Sequence, residues 1–373
     1  MSGGPTEEHE ELRGVVRRFL SEKSDLTRAR ALVEAGEYRD EAVWTQLAGQ
    51  LMVQGIAVPE RYGGAGYGPV ELGIVLEEMG RFLSVAPYFA TVALAGQLLT
   101  SCSDAAARET WLPGIASGSM TATVAIGDDT GEIAADAVTT VAEREGDGWR
   151  LTGTKRFVID GTTADLLIVA ALTDGVVTLF TVAGGATGVR REPLPNLDPT
   201  RPLATVEFSG APAVRIADDA TTLLPRVADL AAAALAAEQA GGAAAALDTA
   251  VEYARVRVQF DRPIGSFQAI KHRCADLLLE VESARNAAFA ATSLLATGDP
   301  EGPLAASLAA AWARRTFTHV AKENIQILGG IGFTWEHDAH LFLKRAKAGE
   351  MLLGTTARHR ARVGALAGIR GAE

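Results

Sequence analysis

The chain has 373 residues and a mass of 39.0 kDa, which is too long for one small core and favours two or three packed units. Hydrophobic residues make up 48% of it and aromatic residues only 6%, so a core of closely packed, alanine-rich helices is expected. The net charge of −11, without a basic run, argues against nucleic-acid binding, which depends on neutralising phosphates.

Cysteine usage and hydropathy indicate the compartment. Only Cys102 and Cys274 occur, so neither a disulfide framework nor a cysteine metal site is expected, and a reducing cytoplasm is the predicted location. Residues 1–11 are polar and acidic, unlike the apolar centre of a signal peptide. The most apolar stretch, 227–250, contains three carboxylates, so we interpret it as a buried bundle helix and predict no membrane span.

The first third of the chain, residues 1–118, has the periodicity of helices. A break rich in Gly and Pro at 59–67 interrupts it, because glycine permits backbone geometries that other residues resist. The predicted helices cover residues 8–20, 41–55, 70–83 and 91–99. An N-terminal helical domain is therefore expected.

The period changes to that of strands in residues 119–220. Four short β-rich runs, separated by Gly and Asp at hairpin-like intervals, begin at Trp149, Leu166, Val176 and Ala204. No helical pattern lies between them, which favours antiparallel pairing in a sandwich or barrel over a parallel sheet. Residues 221–373 are again helical. The predicted fold class is therefore α+β, with three domains at 1–118, 119–220 and 221–373.

A motif from Arg257 to Gln268 follows the long helix of the last region. It reads Arg257-Val-Gln259-Phe260-Asp-Arg-Pro-Ile-Gly-Ser-Phe-Gln268, with a turn at Pro-Ile-Gly between two helices. The run resembles the flavin signature of the acyl-CoA dehydrogenase family. In that family the arginine reaches the pyrophosphate of an FAD bound largely by a neighbouring subunit, and a guanidinium suits a diphosphate. The alternative is a structural arginine at a helix end.

A second motif, Gln326-Ile-Leu-Gly329-Gly330-Ile-Gly-Phe, resembles the family stretch in which the backbone passes close to the partner's FAD. Glycine suits such an approach because it has no Cβ. The resemblance continues to Leu352-Leu-Gly-Thr355. It implies FAD as the cofactor and a set of cofactor-binding residues: Arg257, Gln259, Phe260, Gln268, Gln326, Gly329, Gly330 and Thr355.

The resemblance extends to the N-terminal break and to Leu151-Thr-Gly-Thr-Lys155, and so covers essentially the whole chain. It implies an N-terminal helical domain, a middle antiparallel β domain and a C-terminal four-helix bundle that builds a tetramer. It also implies an oxidoreductase that removes hydrogens from the α,β carbons of an acyl-CoA thioester. The electrons would pass to an acceptor such as electron-transfer flavoprotein.

The base that this chemistry needs is missing from its usual positions. A carboxylate must reach the α-proton, but the common position is Leu353 and the alternative position is Ala231. Glu238 lies two turns after Ala231 on nearly the same face of an apolar helix, and is the candidate catalytic residue. The alternative is a glutamate paired with an arginine across the bundle. For Glu350, one turn before Leu353, we expect a solvated or helix-end role.

Two motifs that would contact this chain's own flavin also depart from the family. The run at Phe157-Val-Ile159-Asp-Gly has isoleucine where a threonine hydroxyl is usual, and Val124 to Gly131 replaces Thr-Glu-Pro-x-Ala-Gly-Ser-Asp. The retained residues are those that would touch a neighbour's FAD. In this respect the chain resembles the shorter subunits of actinobacterial heterotetrameric acyl-CoA dehydrogenases, several of which act on CoA thioesters of sterol side chains.

Three hypotheses follow from these motifs. The chain is a catalytic homo-oligomer with Glu238 as base, or a non-catalytic structural and cofactor-holding partner in a heterotetramer. The third is a family member repurposed for another reaction or for binding CoA thioesters. His337 and His340 have helical spacing but no matching carboxylates, so no metal site is expected.

Overall fold

The computed structural model describes residues 4–217 and 220–369. Side-chain oxygens of Thr6, Asp25, Asp40 and Asp104 accept N–H groups at the starts of four N-terminal helices, which explains where these helices begin. The α-helices of this region are α1 (Glu7–Lys23), α2 (Leu26–Ala35), α3 (Glu41–Gln46), α4 (Pro69–Arg81), α5 (Gln97–Ser101) and α6 (Ala105–Ala116).

Two segments predicted as regular helix, 41–55 and 91–99, are partly π-helical. The first continues from α3 into a π turn at Leu47–Leu51 and then stops at Met52, which has a φ of 53°. The second lies within the π segment Phe89–Gly96 and α5. Apolar periodicity does not reveal such wide turns, because they are short segments within or beside α-helices.

Seven strands form the middle sheet. They are β1 (Ala122–Ala125), β2 (Val141–Glu145), β3 (Gly148–Ile159), β4 (Leu166–Thr173), β5 (Val176–Ala183), β6 (Val189–Leu194) and β7 (Leu203–Ala217). The pairings β4–β5–β7–β3–β2–β4 close on themselves, as in a barrel, and β6 adds to β7. The antiparallel prediction is correct for most pairs, but β4 pairs parallel to β1 and at one point to β2.

The C-terminal region contains three long helices and a short hairpin. Its elements are α7 (Leu223–Val256), β8 (Val258–Gln259), β9 (Arg262–Pro263), α8 (Gln268–Thr297), α9 (Gly302–Leu328), α10 (Ala339–Gly349) and α11 (Thr356–Leu366). Helices α7, α8 and α9 pack against one another and α11 packs along α9, as the predicted helical bundle requires. The limits of the three domains remain predictions.

Helix α7 is the centre of the molecule. It is long and apolar enough to cross a membrane, but 94% of its most apolar window is buried inside the protein. Two glycines allow neighbours to approach it: a Cβ at Gly241 would lie 1.7 Å from the carbonyl oxygen of Glu77 on α4, and one at Gly242 would lie 2.5 Å from Phe317 on α9. The apolar core thus runs from the N-terminal helices through α7 into the bundle.

Candidate functional site

The two flavin-type motifs lie at the same end of the helical bundle. Helices α7 and α9 end where α8 begins, and Tyr253 near the end of α7 packs with Ile325 and Leu328 near the end of α9. This arrangement gathers seven of the eight predicted cofactor-binding residues, all exposed: Arg257, Gln259, Phe260, Gln268, Gln326, Gly329 and Gly330. Thr355 is not among them, because it lies beside the β domain.

The β8–β9 hairpin carries the outermost residues of this surface. Phe260 and Asp261 form its two-residue turn, with φ values of 54° and 61°, as a type I′ turn requires. The turn directs Phe260 outward, and the residue is 84% exposed. Phe267 packs edge-on against Phe260, and the Arg262 guanidinium lies 4.0 Å from the centre of the Phe267 ring. An ordered aromatic residue is thus presented to whatever lies next to this end of the bundle.

The exposed surface has the features that an FAD from another subunit would need. The backbone of Arg257 is held by Tyr253 and Ile264, while its guanidinium makes no ion pair within residues 4–217 and 220–369. Added Cβ atoms at Gly329 or Gly330 would meet no atom of the described residues within 4 Å. A free guanidinium beside an open, Cβ-free backbone therefore fits a diphosphate and an approaching planar group.

A cavity of about 520 Å³, here called the main cavity, lies between the β domain and the bundle. Phe157, Asn196 and Thr355 line it together with the segment 129–132 and residues of α10. The Thr355 hydroxyl accepts the Arg358 N–H at the start of α11, so it is already used as a helix cap. This volume is within the usual range for ligand pockets.

The loop beside the main cavity is held by a buried ion pair. Lys155 contacts the carboxylate of Asp128 and donates to the Ile126 carbonyl at 2.6 Å. Asp128 also accepts hydrogen bonds from Thr139 and Thr140. Burial lowers the pKa of Lys155 to about 8, although Asp128 opposes this. The pair therefore fixes the loop that replaces the family's Thr-Glu-Pro stretch.

The two usual base positions and the position expected to bond the flavin hold apolar side chains. Ala231 is fully buried on α7, and Ile159 packs into the core while its carbonyl accepts the Thr123 hydroxyl at 2.6 Å. Leu353 is partly buried with a φ of 56°, a conformation that costs a leucine energy. None of these side chains can accept a proton or donate a hydrogen bond.

Glu238 is paired with arginines, which is the alternative that the sequence left open. Its carboxylate contacts Arg201 and Arg345, and Arg345 also pairs with Asp198 and donates to the Thr200 hydroxyl at 2.6 Å. Burial would raise the pKa of Glu238, but the two arginines outweigh it and hold the pKa below its usual value. Glu238 is also absent from the walls of the main cavity. This geometry favours a structural role over that of the base.

Glu350 ends α10 and pairs with Lys347, in agreement with the helix-end role expected for it. Burial would raise the pKa of this carboxyl, but the Lys347 hydrogen bond and charge help to hold it below the usual value. A proton acceptor already bound to a lysine one turn away is not free to reach into the main cavity.

Sequence reasoning overlooked two buried titratable groups near these cavities. Asp160, at the end of β3, is buried beside Arg201 and Arg345, and burial raises its pKa to about 7 against those charges. His359 on α11 lies next to Leu353, and burial, helped by the Arg314 charge, lowers its pKa to about 4. His359 lies in no motif and Asp160 is one residue of the run at 157–161, and the sequence does not reveal the burial of either, because that burial depends on contacts between distant segments.

Backbone strain marks the same regions. The described residues include eight non-glycine positions with positive φ. Five of these fall within the flavin-type motifs or at the usual base position: Phe157, Asp160, Phe260, Asp261 and Leu353. Strained conformations of this kind concentrate at functional sites, so these positions are candidates for a functional role.

Three sequence profiles match the chain in order. The N-terminal domain of acyl-CoA dehydrogenases matches residues 6–119, the middle domain matches 123–211 and the C-terminal domain matches 226–367. Acyl-CoA dehydrogenase IpdE2 of Mycobacterium tuberculosis is 35% identical over 352 residues, which is 94% of each chain. The chain belongs to the acyl-CoA dehydrogenase family, whose members are FAD-binding oxidoreductases.

Solved structures of heteromeric assemblies share the fold. A chain of the ChsE4-ChsE5 complex from Mycobacterium tuberculosis has a TM-score of 0.90 and 30% identity over 100% of both chains. A chain of the Tcur3481-Tcur3483 steroid acyl-CoA dehydrogenase has a TM-score of 0.86 and 33% identity, covering 97% of this chain and 98% of that one. The described residues contain no group of three or more His, Cys, Asp or Glu side chains that could hold a metal ion.

Proposed function

We propose that this chain is the non-catalytic, FAD-site-completing subunit of a heterotetrameric acyl-CoA dehydrogenase. The observation that carries the proposal is the contrast between the two halves of the site. The exposed end of the bundle keeps Arg257 and the open glycines, whereas the chain's own site has Leu353, Ala231 and Ile159 at the reactive positions.

The proposed assignments follow from this division. FAD, when bound, supplies the hydride acceptor for the β-hydrogen of the thioester. Arg257 would pair with its diphosphate, and Gly329 and Gly330 would let the flavin approach the backbone. Gln259, Phe260, Gln268 and Gln326 would complete the surface, and Thr355 would face the chain's own main cavity. The α-proton would be removed by a carboxylate of the second chain.

The names of similar proteins support the choice of partner and substrate. ChsE4-ChsE5 is named as a complex of two proteins, and Tcur3481-Tcur3483 is named a steroid enzyme. We therefore infer a second acyl-CoA dehydrogenase chain as the partner, and a CoA thioester of a sterol side chain as the substrate. An acceptor such as electron-transfer flavoprotein would reoxidise the flavin. The two free thiols, Cys102 and Cys274, are compatible with a reducing cytoplasm.

The decisive measurement is the ratio of FAD to protein in the chain expressed alone and with a longer, glutamate-bearing homologue. Co-expression should give a stable mixed complex with one FAD for every two chains, and the chain alone should hold little FAD. Full FAD occupancy together with acyl-CoA oxidation by the isolated chain would instead establish the homomeric enzyme.

Arg257→Lys provides a matched test of the shared site. The substitution keeps the charge but loses the fork of donors, so we expect about a tenfold weaker retention of FAD by the mixed complex. Arg255→Lys is the control, because Arg255 is an exposed arginine two residues earlier on α7. Equal loss of FAD in both variants would argue against a specific diphosphate contact.

A further inference from the structure

A cavity of about 320 Å³, here called the α1–α8 cavity, lies where α1 and α8 meet α4 and α7. Its volume is at the small end of the usual range for ligand pockets. None of its lining residues lines the main cavity or belongs to a flavin-type motif. Small or apolar residues of three helices form one part of its wall: Gly73, Ile74, Ala237, Ala240, Ala288 and Phe289. Charged side chains of α1, α4 and α8 form the other part.

Three arginines line the cavity, and each has a donor to spare. The Glu77 carboxylate lies 2.7 Å from a nitrogen of Arg13 and 2.7 Å from one of Arg285. Arg17 donates twice to Glu78. Within the described part of the chain, Nη2 of Arg13, Nη2 of Arg285 and Nη1 of Arg17 make no hydrogen bond. They are not among the fully buried unpaired atoms, so they retain accessible surface and can donate to an anionic group.

The charges of the wall divide into an inner and an outer group. Glu77 and Glu78 are the buried carboxylates, with 8% and 0% of their side chains exposed, so three guanidiniums share two inner negative charges. Glu10 and Glu282 are 58% and 46% exposed and approach their arginines only to 3.4 and 3.3 Å. Exposed pairs of this kind contribute little free energy. The inner part therefore has one positive charge in excess, and the rim carries two weakly held carboxylates.

We propose that the α1–α8 cavity binds a small zwitterion with an apolar side chain, that is, an α-amino acid of the type of leucine. Its carboxylate accepts hydrogen bonds from the spare guanidinium nitrogens. Its ammonium group pairs with Glu10 or Glu282, and its side chain lies against the alanines and Phe289. A carboxylate without an ammonium group would compete with the rim glutamates, and an amine without a carboxylate would leave the inner excess charge unpaired. The site goes beyond the proposed function, since it needs neither FAD nor a second chain.

Leucine, N-acetylleucine and leucinamide are matched probes because they share one side chain. N-acetylleucine lacks the ammonium group, and leucinamide lacks the carboxylate. Calorimetric titration of the purified full-length chain at neutral pH should show leucine binding about 10-fold more tightly than either of the others. Equal affinity for leucine and one of the other probes, or no binding of leucine at about 10 mM, would overturn the proposal.

Arg285→Gln and Glu282→Gln locate the two charged contacts. Both side chains are partly exposed, and Glu77 keeps its contact with Arg13 when Arg285 is removed. Arg285→Gln should weaken the binding of leucine about 10-fold and change that of leucinamide little. Glu282→Gln should reduce the preference for leucine over N-acetylleucine. Arg273→Gln, at an exposed and glutamate-paired arginine earlier on α8, is the control and should bind leucine as the unaltered chain does. Full preferences in both test variants contradict the assignment.

The three-probe comparison in the unaltered chain keeps the test valid if a variant does not fold. FAD content of the mixed complex, measured on the same preparations, separates this proposal from the proposed function. Normal FAD content without leucine binding refutes the amino-acid site alone. Leucine binding in a chain that fails to complete a partner's FAD site refutes the division of labour alone.

Discussion

Glu238 shows how one buried glutamate supports two interpretations until its neighbours are known. In the sequence, Glu238 is a carboxylate among the alanines of α7. Burying an unpaired carboxylate there costs free energy, and a group buried at such a cost is often functional. In the fold, Arg201 comes from the loop before β7 and Arg345 from α10, and both reach its carboxylate. Three separate segments are therefore joined by one buried charge cluster.

We expect Glu238→Gln to destabilise the chain by roughly 3–5 kcal/mol, because it leaves buried arginine charges without their carboxylate. Urea unfolding of the variant measures this change. Glu350→Gln is the control: its lysine pair is partly exposed, and its loss should cost less than about 1 kcal/mol. Unchanged stability combined with lost turnover in the mixed complex would return Glu238 to a catalytic role.

The raised pKa of Asp160 predicts that the stability of the chain depends on pH. Its pKa is about 7 in the fold and near 3.8 in the unfolded chain, so between these values the folded state binds a proton that the unfolded state releases. The contribution of this group to stability is therefore present at low pH and is lost as the pH rises towards 7.

Asp160→Asn removes this titration while keeping a residue that tolerates the left-handed backbone. The melting temperature of the variant should rise relative to that of the unaltered chain between pH 5 and pH 8. Asp174→Asn is the matched control, since Asp174 has a similar φ of 51° but is exposed in a turn. A constant difference across this pH range would contradict the raised pKa.

At the scale of elements, glycines determine how closely α4 and α9 approach α7. A Cβ at Gly241 would overlap the Glu77 carbonyl oxygen, which belongs to helix backbone and has little freedom to move. Helical glycine normally costs about 1 kcal/mol relative to alanine, so its presence here has a packing reason. The same helix carries Glu238 between α4 and α10, so its spacing also positions the charge cluster.

Gly241→Ala should destabilise the chain by about 2 kcal/mol or more, because overlap with a backbone atom exceeds the gain in helix propensity. Gly14→Ala on the exposed face of α1 has open space and should instead stabilise it by up to about 1 kcal/mol. Thermal unfolding of the two variants compares them directly. Similar stabilities would mean that α4 and α7 lie farther apart than described.

At the scale of the whole molecule, the exposed end of the bundle combines an open backbone with uncovered aromatic side chains. In the part of the chain that the structure describes, no atom lies within 4 Å of a Cβ added at Gly330, and the Phe260 and Phe333 side chains are both 84% exposed. Large exposed aromatic residues beside an open backbone are typical of a surface that another molecule covers.

Gly330→Ala should therefore lower the FAD content of the mixed complex by about tenfold while leaving the stability of this chain unchanged. Absorbance of the flavin and thermal unfolding of the isolated chain measure the two effects separately. Gly185→Ala, between β5 and β6, also has open space and should change neither. Normal FAD content in Gly330→Ala would place the flavin away from this glycine.

The sequence alone determined the features that depend on local pattern and motif. Helical and strand periods predicted the helix–β–helix order, and the runs around Arg257 and Gly329 identified the family. The sequence alone also showed that the usual base position holds no carboxylate, because Leu353 lacks a titratable group whatever its surroundings. The π turns and the parallel β1–β4 pair could not be predicted from the sequence, because neither leaves a recognisable change in the local apolar pattern.

Only the tertiary structure decided what the buried charges do. Glu238 pairs with residues 37 and 107 positions away, and His359 acquires its low pKa from burial among separate segments. A pKa or an ion pair depends on distances in space and on exclusion of water, which a linear pattern does not contain. The exposed end of the bundle that carries both flavin-type motifs likewise exists only where distant segments meet.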